Sequence, residues 1–153
     1  MRRLLVIAVL ALLAAPAAWA QTIVVEIEGR SRVLDAAALA ALPTATSSVE
    51  RNGARVTYTG PLLWQVLAAG GAAPEYALAA RLALLVTASD GYTTVLSLGE
   101  IAPELGNRPV LLGLSADDAS IRSFPRLVVP GERRGARGVR DVARLTVLPV
   151  RTP

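Results

Sequence analysis

The chain has 153 residues, 53% of them apolar, with 16 basic and 12 acidic side chains and a formal charge of +4. It contains no Cys and no His, which excludes disulfides, thiolate or imidazole metal sites, a Cys nucleophile and any Ser-His-Asp triad. Every basic residue is Arg, so the chemistry left to the chain belongs to guanidinium groups, carboxylates, hydroxyls and three Tyr.

The N-terminus has the three parts of a secretory signal peptide. Arg2 and Arg3 form the positive region, Leu4 to Ala15 is an unbroken apolar run, and Ala18-Trp19-Ala20 is a small-x-small cleavage site. The apolar run is about 12 residues, short of the roughly 20 that a membrane span needs. The expectation is a signal peptide over residues 1–20 and one exported domain over 21–153. That domain is periplasmic or secreted and has no membrane span after cleavage.

Thr22 to Glu28 alternates Ile23, Val25 and Ile27 with polar partners and reads as a strand. Gly29-Arg30-Ser31 forms a turn, with Arg32 to Leu34 pairing back. Asp35 is a suitable N-cap for a short Ala/Leu helix ending at Leu42, where Pro43 stops it. Asn52-Gly53, between β-prone arms from Ser47 to Thr59, favours the two positive-φ positions of a type I′ hairpin. Pro61 then opens a helix at its first turn, with Leu62, Leu63, Val66 and Leu67 on its apolar face and Gly70-Gly71 at its end.

Arg81 to Ala88 reads as a buried strand, Asp90-Gly91 as a tight turn and Tyr92 to Leu96 as the returning strand. Ser97, with Glu100 three residues on, has the pattern of a capping box for a short helix. Pro109 to Leu114 and Leu127 to Val129 read as strands, Ala116-Asp117-Asp118 as a turn, Pro130 to Gly138 as an Arg/Gly loop, and Val139 to Val150 as a final strand. The tail from Arg151 to Pro153 is expected to fray. About eight strands and three short helices without regular βαβ alternation indicate an α+β fold built on one mixed sheet.

Seven of the 16 Arg lie between Arg122 and Arg144, opposed there only by Glu132 and Asp141. Arg126 enters an apolar strand after a proline, where a charge is costly unless it is paired; it is either held in a salt bridge or free to bind an anion. In Gly131 to Arg140, glycines free the backbone and Arg forks match oxyanion geometry, although the spacing fits no phosphate-loop fingerprint. Tyr92 is either a site phenol or a half-buried strand aromatic. Arg126, Arg137 and Arg140 are the expected anion ligands, with Tyr92 and Asp90 lining the same cleft. The expected partner is a small anion or an acidic protein face; nucleic acid is not expected for an exported chain.

An ordered set of motifs runs from Ile23 to Val147: Tyr58-x-Gly60-x-x-Leu63, Ser89-Asp90-Gly91-Tyr92, Leu98-x-Glu100-Ile101, Arg126-Leu127-Val128-Val129-Pro130-Gly131 and Arg137-Gly138-Val139-Arg140-Asp141-Val142. In this order and spacing the chain resembles the oxidoreductase molybdopterin-binding domain family, of the sulfite-oxidase type, in a short exported bacterial form. The resemblance implies a mixed α+β fold and, in the full-length enzymes, a molybdenum pyranopterin held through backbone and Arg contacts. The chain departs from that pattern in having neither the Cys that ligates molybdenum nor any His, in having Phe124-Pro125 where Gly-Pro is usual, and in having Gly138 where an aromatic is frequent. A molybdopterin is therefore implied by the resemblance alone. Three readings stand: a non-catalytic exported binding or accessory module, an oxidoreductase subunit lacking the thiolate, and a sensory or protein-interaction module.

Overall fold

The computed structural model describes residues 22–117, 119–120, 125–132 and 134–150. The expected signal peptide and C-terminal tail lie outside these residues, as do Asp118, Arg122 and Arg133. Among the described residues no helix is long and apolar enough to cross a membrane.

The elements in chain order are β1 (Thr22–Ile27), β2 (Arg30–Asp35), α1 (Ala36–Ala40), β3 (Thr44–Arg51), β4 (Ala54–Pro61), α2 (Leu63–Ala69), α3 (Tyr76–Ala79), β5 (Leu82–Ala88), β6 (Thr93–Ser97), α4 (Leu98–Ile101), β7 (Leu111–Gly113), β8 (Ser115–Ala116), β9 (Ala119–Ser120), β10 (Arg126–Val128) and β11 (Val142–Pro149), with a 3₁₀ turn at Gly135–Arg137. This is an α+β arrangement dominated by strands. A five-stranded sheet runs in the order β2-β1-β11-β5-β6, parallel only between β1 and β11. A four-stranded sheet, β3-β4-β8-β9, and a two-stranded ribbon, β10-β7, lie apart from it in pairing.

Local chemistry accounts for most of the joints. The hairpin β3–β4 turns on Asn52 and Gly53, at φ 51° and 78°, the two positive values a type I′ turn demands. Asp35 caps α1 by accepting a hydrogen bond from the Ala38 N–H at 2.8 Å. On β5 the alternation is strict: Leu82, Leu84, Val86 and Ala88 point inward and are buried. They meet Ile23 and Val25 of β1, Leu145 and Val147 of β11, and Leu63, Val66 and Leu67 of α2 in the main core. A smaller cluster forms around Tyr58, Leu111 and Val128.

Five expectations are corrected. The single mixed sheet expected is three separately paired sheets of five, four and two strands. The described residues form eleven strands and four α-helices rather than about eight and three. The surplus is short: Ala116 and Asp117 begin the turn of a hairpin with two-residue arms, β8 and β9, and α3 is a single turn. Pro61 is the last residue of β4, paired with Thr44, so that α2 starts two residues later behind Leu62. Ser97 sits at the N-cap of α4 but makes no side-chain cap, and the Glu100 carboxylate that would close the capping box pairs with two arginines instead. The final strand starts at Val142, since Asp141 turns the chain at φ 49° and a register shift follows between Val142 and Arg144.

Gly60 brings the two smaller sheets together. A Cβ there would run into the Leu112 carbonyl oxygen, so only glycine lets β4 press against β7. The bridge between Leu62 and Leu111 and hydrogen bonds from Leu63 N to Val110 O and from Leu114 N to Thr59 O, both 2.8 Å, fix that approach. It sets the Tyr58 ring beside β10.

Candidate functional site

Arg126 is the first residue of β10, pairs with Gly113 of β7 and is 8% exposed, the one charged residue buried among those described. Gly113 has no side chain to oppose it, and the space is filled from β4: a Cβ on Gly113 would lie 3.0 Å from Tyr58 Cδ1. The Arg126 guanidinium consequently sits over the Tyr58 ring, 5.7 Å from its centroid, in cation–π range. Its hydrogen bond goes to the Gly138 carbonyl oxygen at 3.3 Å. Among the described residues no carboxylate lies within ion-pair distance of Arg126.

Its surroundings are cationic. Arg51, at the inward-facing end of β3, donates from Nη1 to the Tyr58 hydroxyl oxygen at 3.3 Å. Burial pulls the Arg126 pKa down; the Tyr58 phenol opposes this, and the charges of Arg51 and Arg140 add to it. The group stays a cation at any physiological pH, since guanidinium starts so high. Arg126, Arg51 and Tyr58 line an open cleft of about 420 Å³, together with Glu132 and Arg134 from the Arg/Gly loop and Glu50 at the rim.

Arg137 is held quite differently. Its guanidinium contacts both Glu132 and Glu100, the latter at 3.4 Å, and Arg108 contacts the same two carboxylates. The four side chains form a closed alternating ring, each 22–29% exposed. Arg108 also donates to the Pro130 carbonyl. The Arg137 pKa is raised, first by the hydrogen bond to Glu132 and then by Glu100. The ring joins α4, the segment before β7 and both ends of the Arg/Gly loop.

The chain matches no protein-family model and no curated protein.

The five residues expected to form the site do not share one cleft. Arg126 lies in the cleft just described. Arg140, Tyr92 and Asp90 line a second cleft, and Arg137 lines neither. Asp90 accepts the Tyr92 N–H at 3.0 Å, which shapes the β5–β6 turn, and Gly91 there has φ 89°, as a tight Asp-Gly turn requires. The Tyr92 hydroxyl donates to the Ala136 carbonyl at 2.6 Å, so this phenol pins the Arg/Gly loop. Gly135, Ala136 and Gly138 form a wall common to the two clefts.

Sequence reasoning missed Arg51 and Arg108, and took Tyr58 only as part of a motif and Glu100 only as part of a motif and a capping pattern. A signal existed for Arg51: the period-2 pattern of β3 sets it on the same face as Ala45 and Val49, which pack on the small core around Tyr58. None existed for the ring, whose members come from three separate segments.

The residues present do not fit a thiolate-ligated molybdenum. The chain has no Cys and no His, and no three metal-ligating side chains gather among the described residues. What the cleft does offer is fixed positive charge, a phenol whose proton is free to be donated, and partial exclusion of water. Guanidinium is a poor proton shuttle.

Proposed function

We propose that this chain is a non-catalytic binding module, exported with removal of its leader, that holds an oxyanion group in the Arg51–Tyr58–Arg126 cleft. The observation that carries the reading is Arg126: a buried guanidinium without a carboxylate partner among the described residues, facing a cleft that also presents Arg51 and Arg134. Burying an unpaired cation is unfavourable, and a fold that does so beside two more cations is poised for an anion to complete it. The cleft volume falls within the range of ordinary ligand sites, about 300–1,000 Å³. It exceeds what a bare oxyanion occupies, so the ligand is an anionic group on a small body.

The resemblance to the molybdopterin-binding domain family belongs to this proposal as its scaffold. On this reading the chain retains an anion-binding face of such a domain and has lost the metal chemistry. The test is calorimetric titration of sulfate, phosphate and a pterin into wild type and Arg126→Met. Binding that weakens at least tenfold in the variant, and that falls as salt rises because exposed charges are screened over about 8–10 Å, supports the reading. Stoichiometric pterin or molybdenum in protein purified from its host would replace it with the oxidoreductase reading. Absence of any binding below millimolar would turn attention to docking of an acidic protein.

A further inference from the structure

The ring of Arg108, Glu100, Arg137 and Glu132 is neutral as a whole, but it is not neutral toward the cleft. Glu132 is its only member on the cleft lining; Arg137, Arg108 and Glu100 stand behind. The ring therefore turns one negative corner to the ligand. Every contact it makes from Glu132 uses Oε1, so Oε2 is unengaged among the described residues. Among the described residues, the shielded charges of the lining are thus Arg126 and Arg51 against Glu132, a net of one positive charge. Including the exposed Arg134 and Glu50, three Arg against two Glu, leaves the same balance.

We propose that Glu132 is a specificity-determining residue, tuning the cleft toward singly charged rather than doubly charged oxyanions. This rests on the anion-binding reading above and deepens it. The physical argument is linear. A fixed charge changes the binding free energy of a ligand in proportion to the ligand's own charge, so Glu132 penalises a dianion twice as much, on a logarithmic scale, as a monoanion of similar shape. A merely structural role in the ring predicts no such proportionality, and predicts that Glu100, which touches the same two arginines, behaves like Glu132.

The experiment compares sulfate with methanesulfonate, which differ by one charge and a methyl-for-oxygen exchange, by calorimetry on wild type, Glu132→Gln and Glu100→Gln. Circular dichroism checks that each variant is folded. At water-like screening over a few ångströms, Glu132→Gln should tighten methanesulfonate about threefold and sulfate about tenfold. Glu100→Gln should leave the ratio of the two affinities at its wild-type value. Glu132→Ala removes the same charge without placing an amide in the ring and should give the same ordering, while Glu132→Asp should retain wild-type selectivity. Equal gains for both ligands, no gain, or matching behaviour of the Glu100 and Glu132 variants overturns the inference while the cleft still binds. Loss of all binding in wild type, with Arg126→Met unchanged from it, overturns the anion-binding reading and this inference together.

Discussion

Arg126 and Arg137 stand eleven residues apart in one arginine-rich stretch, and the fold treats them in opposite ways. Arg137 sits in a closed ring with two carboxylates and a second arginine, and its proton is held more tightly by the Glu132 hydrogen bond. Arg126 is more deeply buried, has a carbonyl and an aromatic face for company, and is pushed toward losing its proton by desolvation. In the ring, charge is spent on structure: it ties the Arg/Gly loop to α4 and to the segment before β7. In the cleft, charge is left over. On the anion-binding proposal, the feature to look to is not the densest run of arginines but the arginine whose charge the fold leaves unmatched among the described residues.

The comparison can be broken most violently from behind. Gly60→Ala drives a Cβ into the Leu112 carbonyl, separates β4 from β7 and removes Tyr58 from beneath Arg126. A loss of about 3 kcal/mol or more in denaturant unfolding is expected, with the cleft abolished. Arg137→Ala attacks the ring alone. It leaves two partly buried carboxylates to share Arg108, and should cost about 1–3 kcal/mol by chemical denaturation while anion affinity changes little. Arg126→Met should do the reverse. The fold should stay within about 1 kcal/mol of wild type or become more stable, because replacing a buried unmatched cation by an apolar side chain removes a desolvation cost. Equal destabilisation by these two substitutions would erase the distinction.

Much of this scaffold is readable from the chain, because turns and caps are local. Asn52-Gly53, Asp90-Gly91 and Asp35 each act through their own backbone, and the structure bears out all three. The alternation along β5 is equally local, since a strand buried on one face advertises it every second residue. The two arginine environments are not local. Whether Arg126 is paired depends on Gly113 and Tyr58, 13 and 68 residues away, and Arg137 finds Glu100 across 37 residues. The Ser97–Glu100 capping pattern shows the limit most clearly: the local rule is satisfied on paper, yet Arg108 and Arg137 offer Glu100 a charged partner stronger than a backbone N–H.

Smaller effects sharpen the same contrast. Tyr92→Phe removes the hydrogen bond to the Ala136 carbonyl and should cost about 0.5–1.5 kcal/mol, with faster amide exchange in the Gly135–Gly138 wall. Anion binding should be flat between about pH 6 and pH 9, beyond any titration of the ligand itself. The sign follows from the two shifts. The lowered Arg126 value makes its charged form a cost that is relieved only as pH rises through that value. The raised Arg137 value gives a stabilisation lost only as pH rises through its own, and guanidinium groups stay protonated across this range.

The central claim is that the unmatched charge of Arg126, rather than the arginine-rich stretch as a whole, holds the anion. It is tested most directly by titrating sulfate at low salt into wild type, Arg126→Met and Arg137→Ala under identical conditions. The account predicts saturable binding to wild type, a loss of at least tenfold in Arg126→Met, and affinity within about threefold of wild type in Arg137→Ala. Binding that survives in Arg126→Met and falls in Arg137→Ala would contradict it.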